Sequence, residues 1–231
     1  MIRALAIKEL RETAWIGALA LVINVLMVTG VPGLVDLPSI SSLSFQSFSL
    51  SAEPPVPFVN DGIYSKLFVV GLALAIGLGF RQSIAEFARA TYLFLLHRPR
   101  HRTAIFGTKL IVGATLVLVA CLLPLAIYTW WAATPGTHPS PFFWSLTVSH
   151  WWMTVCLPVA YFGAFLSGLR PGRWFGTRLW PLAASLAALA LLLGIVEETT
   201  VPMVVPMLLL MASVFLLVWL IRHVSYRRDF S

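Results

Sequence analysis

Six stretches of this sequence, residues 15–31, 63–80, 103–130, 148–169, 179–196 and 201–221, are apolar almost without interruption, and only Lys66 and Lys109 put a charge on them. A hydrocarbon core needs roughly 20 apolar residues for each helical crossing. Stretches of this length and spacing predict an all-α integral membrane protein with six transmembrane helices. Only 11% of residues are charged and 59% are hydrophobic, with a mean hydropathy of +0.88. Soluble domains carry about 25% charged residues, so the composition excludes an ordinary soluble fold. The connections leave no room for a separate soluble domain of roughly 100 residues. Any catalytic or nucleotide-binding domain is therefore expected on another chain.

Charge fixes the expected orientation. Arg81, Arg89, Arg98, Arg100, Arg102 and Lys109 crowd into residues 81–109, together with His97 and His101. Placing the N-terminus, 81–109, the turn 170–178 and the tail in the cytoplasm leaves Lys66 as the sole outer cation among 16 Lys and Arg. That is the positive-inside pattern. It predicts a cytoplasmic (inner) membrane protein with both termini inside, and it accounts for the net charge of +7 without nucleic acid. Asp36, Glu53, Asp61, Glu197 and Glu198 fall on the outer side.

Between the spans, several shorter signals stand out. Residues 1–14 place Ile2, Leu5, Ala6, Leu10 and Ala14 at helical spacing, with Lys8, Glu9, Arg11 and Glu12 elsewhere. That pattern predicts an amphipathic helix lying in the interface, retained rather than cleaved. Asn24 is the single polar residue near the middle of the first span and is read as a helix-packing contact. Residues 32–62 form a long outer loop rich in Ser and Pro and devoid of Lys and Arg. Ser83 and Glu86 have the spacing of a capping box, which predicts a new cytoplasmic helix over 82–96. Ile84, Phe87, Ala88, Thr91 and Leu95 share one face of it, Glu86 and Arg89 pair on another, and Pro99 disfavours helix at Arg98.

Catalytic chemistry is absent from the sequence. There is no G-x-S-x-G, no H-E-x-x-H and no G-x-x-x-x-G-K-[ST], so neither nucleophilic hydrolysis nor phosphate-loop ATP binding is expected. His97 and His101 are four apart, but Pro99 lies between them and Arg98, Arg100 and Arg102 surround them, so no metal is expected. His138 and His150 fall near the outer boundary rather than facing each other inside the spans as a haem pair would. The absence of ionisable residues near mid-membrane argues against a self-driven proton-coupled transporter. Cys121 and Cys156 read as reduced packing residues, and Trp130, Trp131, Trp144, Trp151, Trp152, Trp174, Trp180 and Tyr226 as interfacial belts.

Taken together, the lead Ile7 to Glu12, the segment Glu86 to Arg102 followed by Lys109, the six spans, the Pro-broken element Glu197 to Pro206 and the tail Tyr226 to Phe230 resemble the permease subunits of ATP-binding-cassette transporters of the type-2 exporter class. In that family an acidic residue, a Thr, a Leu pair, a Pro, an Arg and a Lys recur in order; here they are Glu86, Thr91, Leu95-Leu96, Pro99, Arg102 and Lys109. The resemblance implies that 1–14 is an elbow helix and 82–96 a coupling helix. It further implies an ABC ATPase subunit docked beneath and a second permease subunit alongside, identical or paralogous. The partner-binding residues it points to are Glu86, Phe87, Arg89, Thr91, Leu95 and Arg102, with no cofactor and no catalytic site on this chain. The 32–62 loop is longer than the family pattern requires. A second reading makes the chain a non-transporting membrane anchor or scaffold that recruits a cytoplasmic partner through the same basic segment.

Overall fold

The computed structural model describes residues 2–29, 57–59, 62–88, 102–135, 142–170, 177–197 and 202–227. These residues form six α-helices and, among them, no strand: α1 Ile2–Thr29, α2 Ile63–Ala88, α3 Arg102–Ala133, α4 Val148–Leu169, α5 Trp180–Glu197 and α6 Val204–Arg227. A 3-10 turn, Trp144–Thr147, leads into α4. Five of the helices are long and apolar enough to cross a membrane, and their apolar lengths cover 3–28, 63–84, 104–133, 144–169 and 204–225. The chain is thus an all-α, multi-pass membrane protein by helix length and composition. The sixth, α5, is apolar throughout but shorter, at 18 residues; at 1.5 Å per residue it is about 27 Å long, close to the thickness of a hydrocarbon core.

Side-chain contacts give the helix directions. Glu9 meets Lys109 and Asn24 meets Ala120, so α1 and α3 run together. Arg81, late in α2, reaches Glu12, early in α1, so α2 runs against them. Gly71 lies beside Leu157 and Ser83 beside Gly168, which makes α2 and α4 parallel. Leu182 bonds Ser167 and Trp152 bonds Leu192, so α5 runs against α4. One end of the bundle therefore carries Arg3, Lys8, Arg11, Arg81, Arg170 and Arg178, and is called the basic end. The other gathers Phe58, Tyr64, Tyr128, Phe142 and His150, and is called the aromatic end.

The centre of the bundle is α4, which packs against α2, α3, α5 and α6. Over an 18-residue apolar window 94% of its residues are buried, against 17% in α6. The enclosed helix is not the most apolar one: α4 carries His150, Thr154, Tyr161 and Ser167, all buried, whereas α6 turns Leu208, Met211, Phe215 and Leu216 outward. That inversion is expected where the surrounding solvent is lipid, because apolar side chains gain nothing by turning inward. Close approach of α2 to α4 depends on two glycines. A Cβ on Gly79 would lie 2.7 Å from the Tyr161 carbonyl oxygen, and one on Gly168 would collide with the Ser83 hydroxyl.

Two expected boundaries are absent. The elbow helix and first span are one uninterrupted helix, α1, because no proline or paired glycine breaks the chain between them. Its charged face also departs from the interfacial reading. Glu9, Thr13, Gly17, Ala20 and Asn24 turn inward at three- and four-residue spacing, while Ile7 and Leu10 are 65% and 46% exposed. The second span likewise does not stop at Phe80: α2 continues through Ser83 to Ala88. The Ser83 hydroxyl donates to the Gly79 carbonyl one turn back, so it occupies a helix interior and does not cap a new helix. The helices over the remaining apolar stretches begin and end near the limits of those stretches, except that α6 continues past Ile221 to Arg227.

Candidate functional site: a buried polar junction at the basic end

Helices α1, α2, α3 and α4 meet at the basic end through side chains that are almost wholly enclosed. Lys109, two turns into α3, places its Nζ 2.8 Å from Glu9 Oε1 on α1, and the two side chains are 1% and 2% exposed. Each charge neutralises the other, which is the condition for keeping either out of water. Thr13, one turn beyond Glu9, is satisfied locally by donating to the Glu9 carbonyl.

Tyr161 of α4 sits behind this pair. Its hydroxyl is within hydrogen-bonding reach of Gln82 Oε1 on α2 and lies 3.1 Å from the Lys109 carbonyl oxygen on α3. Gly113, one turn past Lys109, leaves the space that the ring needs, since a Cβ there would collide with the Tyr161 hydroxyl oxygen. Tyr161 is fully buried and Gln82 is 3% exposed. One phenol thereby ties α4 to both helices that flank the basic segment, while the Gln82 Nε2 finds no hydrogen-bond acceptor among the described residues.

Around this centre two arginines fix helix ends. Arg81 donates to the Glu12 carbonyl at 3.2 Å and lies 5.3 Å from the centroid of the Trp15 ring, a cation–π contact. Arg178 donates to the carbonyls of Ser167 and Gly168, the open acceptors at the end of α4, where a positive charge also complements the helix dipole. The Ser167 hydroxyl accepts from the Leu182 N–H in the first turn of α5. The two successive helices are thus stitched together through their otherwise unsatisfied termini.

Of the residues singled out from the sequence, Glu86 and Phe87 occupy the last turn of α2, one turn beyond Gln82, and Arg102 opens α3, two turns before Lys109. Their side chains, and all of Arg89, Thr91 and Leu95, lie outside the described residues. Lys109 was read as closing the cytoplasmic basic segment 81–109, and the structure encloses it. Glu9 was placed only on the charged face of the N-terminal helix, and Gln82 and Tyr161 were not singled out. A signal was present for Glu9, because it begins the small and polar series with Thr13, Gly17, Ala20 and Asn24. Among the described residues no group of His, Cys, Asp or Glu has the makings of a metal site.

The chemistry of this junction is positional. It contains a neutralised ion pair, a phenol and an amide, and among them no nucleophile set beside a base. Comparison with protein-family profiles, curated proteins and solved structures finds no match for this chain.

Proposed function

We propose that this chain is the membrane-spanning subunit of an ATP-binding-cassette transporter of the type-2 exporter class, in the cytoplasmic membrane with both termini inside. It forms the translocation path with a second permease subunit and couples export to ATP hydrolysis on a separate ATPase chain. The observation that carries this reading is the polar junction between the helices on either side of residues 89–101 in the sequence. The helices that enter and leave that segment, α2 and α3, are bound through Gln82 and Lys109 to a single buried Tyr161, and through Lys109 to Glu9. A push delivered to the segment by a docked partner is thereby passed to four helices together. The sequence pattern from Glu86 to Lys109 supports docking there, and the lack of a G-x-x-x-x-G-K-[ST] loop fits a separate ATP-binding chain.

The test is isolation of the intact complex in mild detergent and identification of what accompanies the chain. An ATPase carrying a Walker-A loop is expected; a partner indifferent to nucleotide would replace the transporter with a membrane scaffold. Within the complex, Glu86→Arg is expected to uncouple ATP hydrolysis from transport while membrane insertion is retained. Unchanged transport and ATPase docking in that variant would remove the role assigned to Glu86.

A further inference from the structure

A groove of about 310 Å³ opens between α4, α5 and α6 on the outside of the bundle. Arg170 and Trp180 stand at its mouth, at the basic end, and Ala184, Ala188, Ser213 and Leu217 line its depth. The lining is apolar apart from Arg170 and two serines, and both serine hydroxyls are already satisfied: Ser185 donates to the Leu182 carbonyl and Ser213 to the Leu209 carbonyl. The groove therefore offers one cation at one end and hydrocarbon everywhere else. On α6 it runs from Val224 to Ser213, eleven residues or about 16 Å at 1.5 Å each, close to half of a hydrocarbon core about 30 Å thick. Its depth is thus that of one leaflet.

We infer that this groove is a binding site for an anionic phospholipid of the leaflet at the basic end, with the phosphate at Arg170 and one acyl chain lying between α5 and α6. The guanidinium is matched to a phosphate by its planar array of donors. Trp180 is 67% exposed beside it and suits the headgroup boundary. One cation at the end of an otherwise apolar lining complements an occupant with an anionic head and a hydrocarbon tail, and an extended alkyl chain is thin enough to enter. The site rests on the membrane location of the chain and not on the transporter reading.

Native mass spectrometry tests it on the full chain, together with any partner that co-purifies, in mild detergent with added phosphatidylglycerol or phosphatidylcholine. Retention of phosphatidylglycerol above phosphatidylcholine is expected. Arg170→Gln should weaken that retention roughly fivefold, as expected for one basic residue at an anionic surface, and Ala184→Phe should abolish it by filling the groove. Ala184 is exposed in the groove wall, and Ala184→Leu provides a milder obstruction if the larger side chain impairs folding. Equal retention by wild type, Arg170→Gln and the Ala184 variants would overturn the site, because such lipid would be bound all round the bundle. Displacement of the lipid by inorganic phosphate alone would overturn it too, by showing a site for the anion without the chain.

Discussion

The two ends of the bundle hold the same helices together by different physics. At the basic end Glu9, Lys109, Gln82, Tyr161, Arg81 and Arg178 join helices through charge and directional hydrogen bonds, each with one acceptable geometry. At the aromatic end Phe58 and Tyr64 lie edge-on to His150, 4.9 and 5.0 Å from the imidazole centroid, and Tyr128 and Phe142 are tilted against Phe58. Ring contacts of this kind lose little when a ring slides or tilts. A hydrogen bond in a dry site loses most of its value under the same displacement, and it leaves a desolvated group behind. The basic end is therefore built to keep its register and the aromatic end to repack around a change in it. That division suits a molecule driven from one side.

The comparison breaks most severely if one member of the buried pair is deleted. Glu9→Ala leaves the Lys109 ammonium enclosed without its carboxylate and is expected to cost about 3–5 kcal/mol. The readout is the fraction of chain remaining monodisperse in detergent after graded heating. Glu9→Met combined with Lys109→Leu should recover most of that loss, because neither charge then remains to be solvated. A double variant no better than Glu9→Ala would mean that the pair is not what holds the junction. Next in size is Gly79→Ala, whose Cβ meets the Tyr161 carbonyl oxygen and the Ala164 Cβ at 2.7 Å. Overpacking against backbone is expected to cost about 1–3 kcal/mol by the same heating series. Smallest is Tyr64→Leu at the aromatic end, where loss of one edge contact with His150 is expected to cost about 0.5–1.5 kcal/mol. A Tyr64→Leu loss as large as that of Glu9→Ala would erase the distinction between the two ends.

Much of this fold was legible because a membrane span is defined by length and charge, and α3, α4 and α5 begin and end where charge and turn residues bound the apolar runs. The junction at Gln82 and Ser83 was not, because a Ser followed three residues later by a Glu has two outcomes. It caps a helix when the chain before it is extended, and it back-bonds to the preceding turn when that chain is already helical, as Ser83 does to Gly79. The inward face of α1 was missed for a related reason: the interfacial reading sends charged residues to water, whereas Glu9 turns into the bundle, where Lys109 neutralises it. The pairing of Glu9 with Lys109 spans 100 positions of sequence, and no periodicity within one element announces a partner on another. Glu86 through Leu95 was readable only as a pattern of residue types, since the role proposed for it concerns a second chain.

One consequence of the enclosure of α4 concerns the order in which the protein is made. Translation delivers α4 before α5 and α6, which cover one of its sides. Until they arrive the Ser167 hydroxyl lacks the Leu182 N–H and the Gly168 carbonyl lacks Arg178. If α4 enters the membrane ahead of α5 and α6, it is a polar-edged helix covered on one side only. The helix most hidden in the finished molecule is then the one whose cover is completed last.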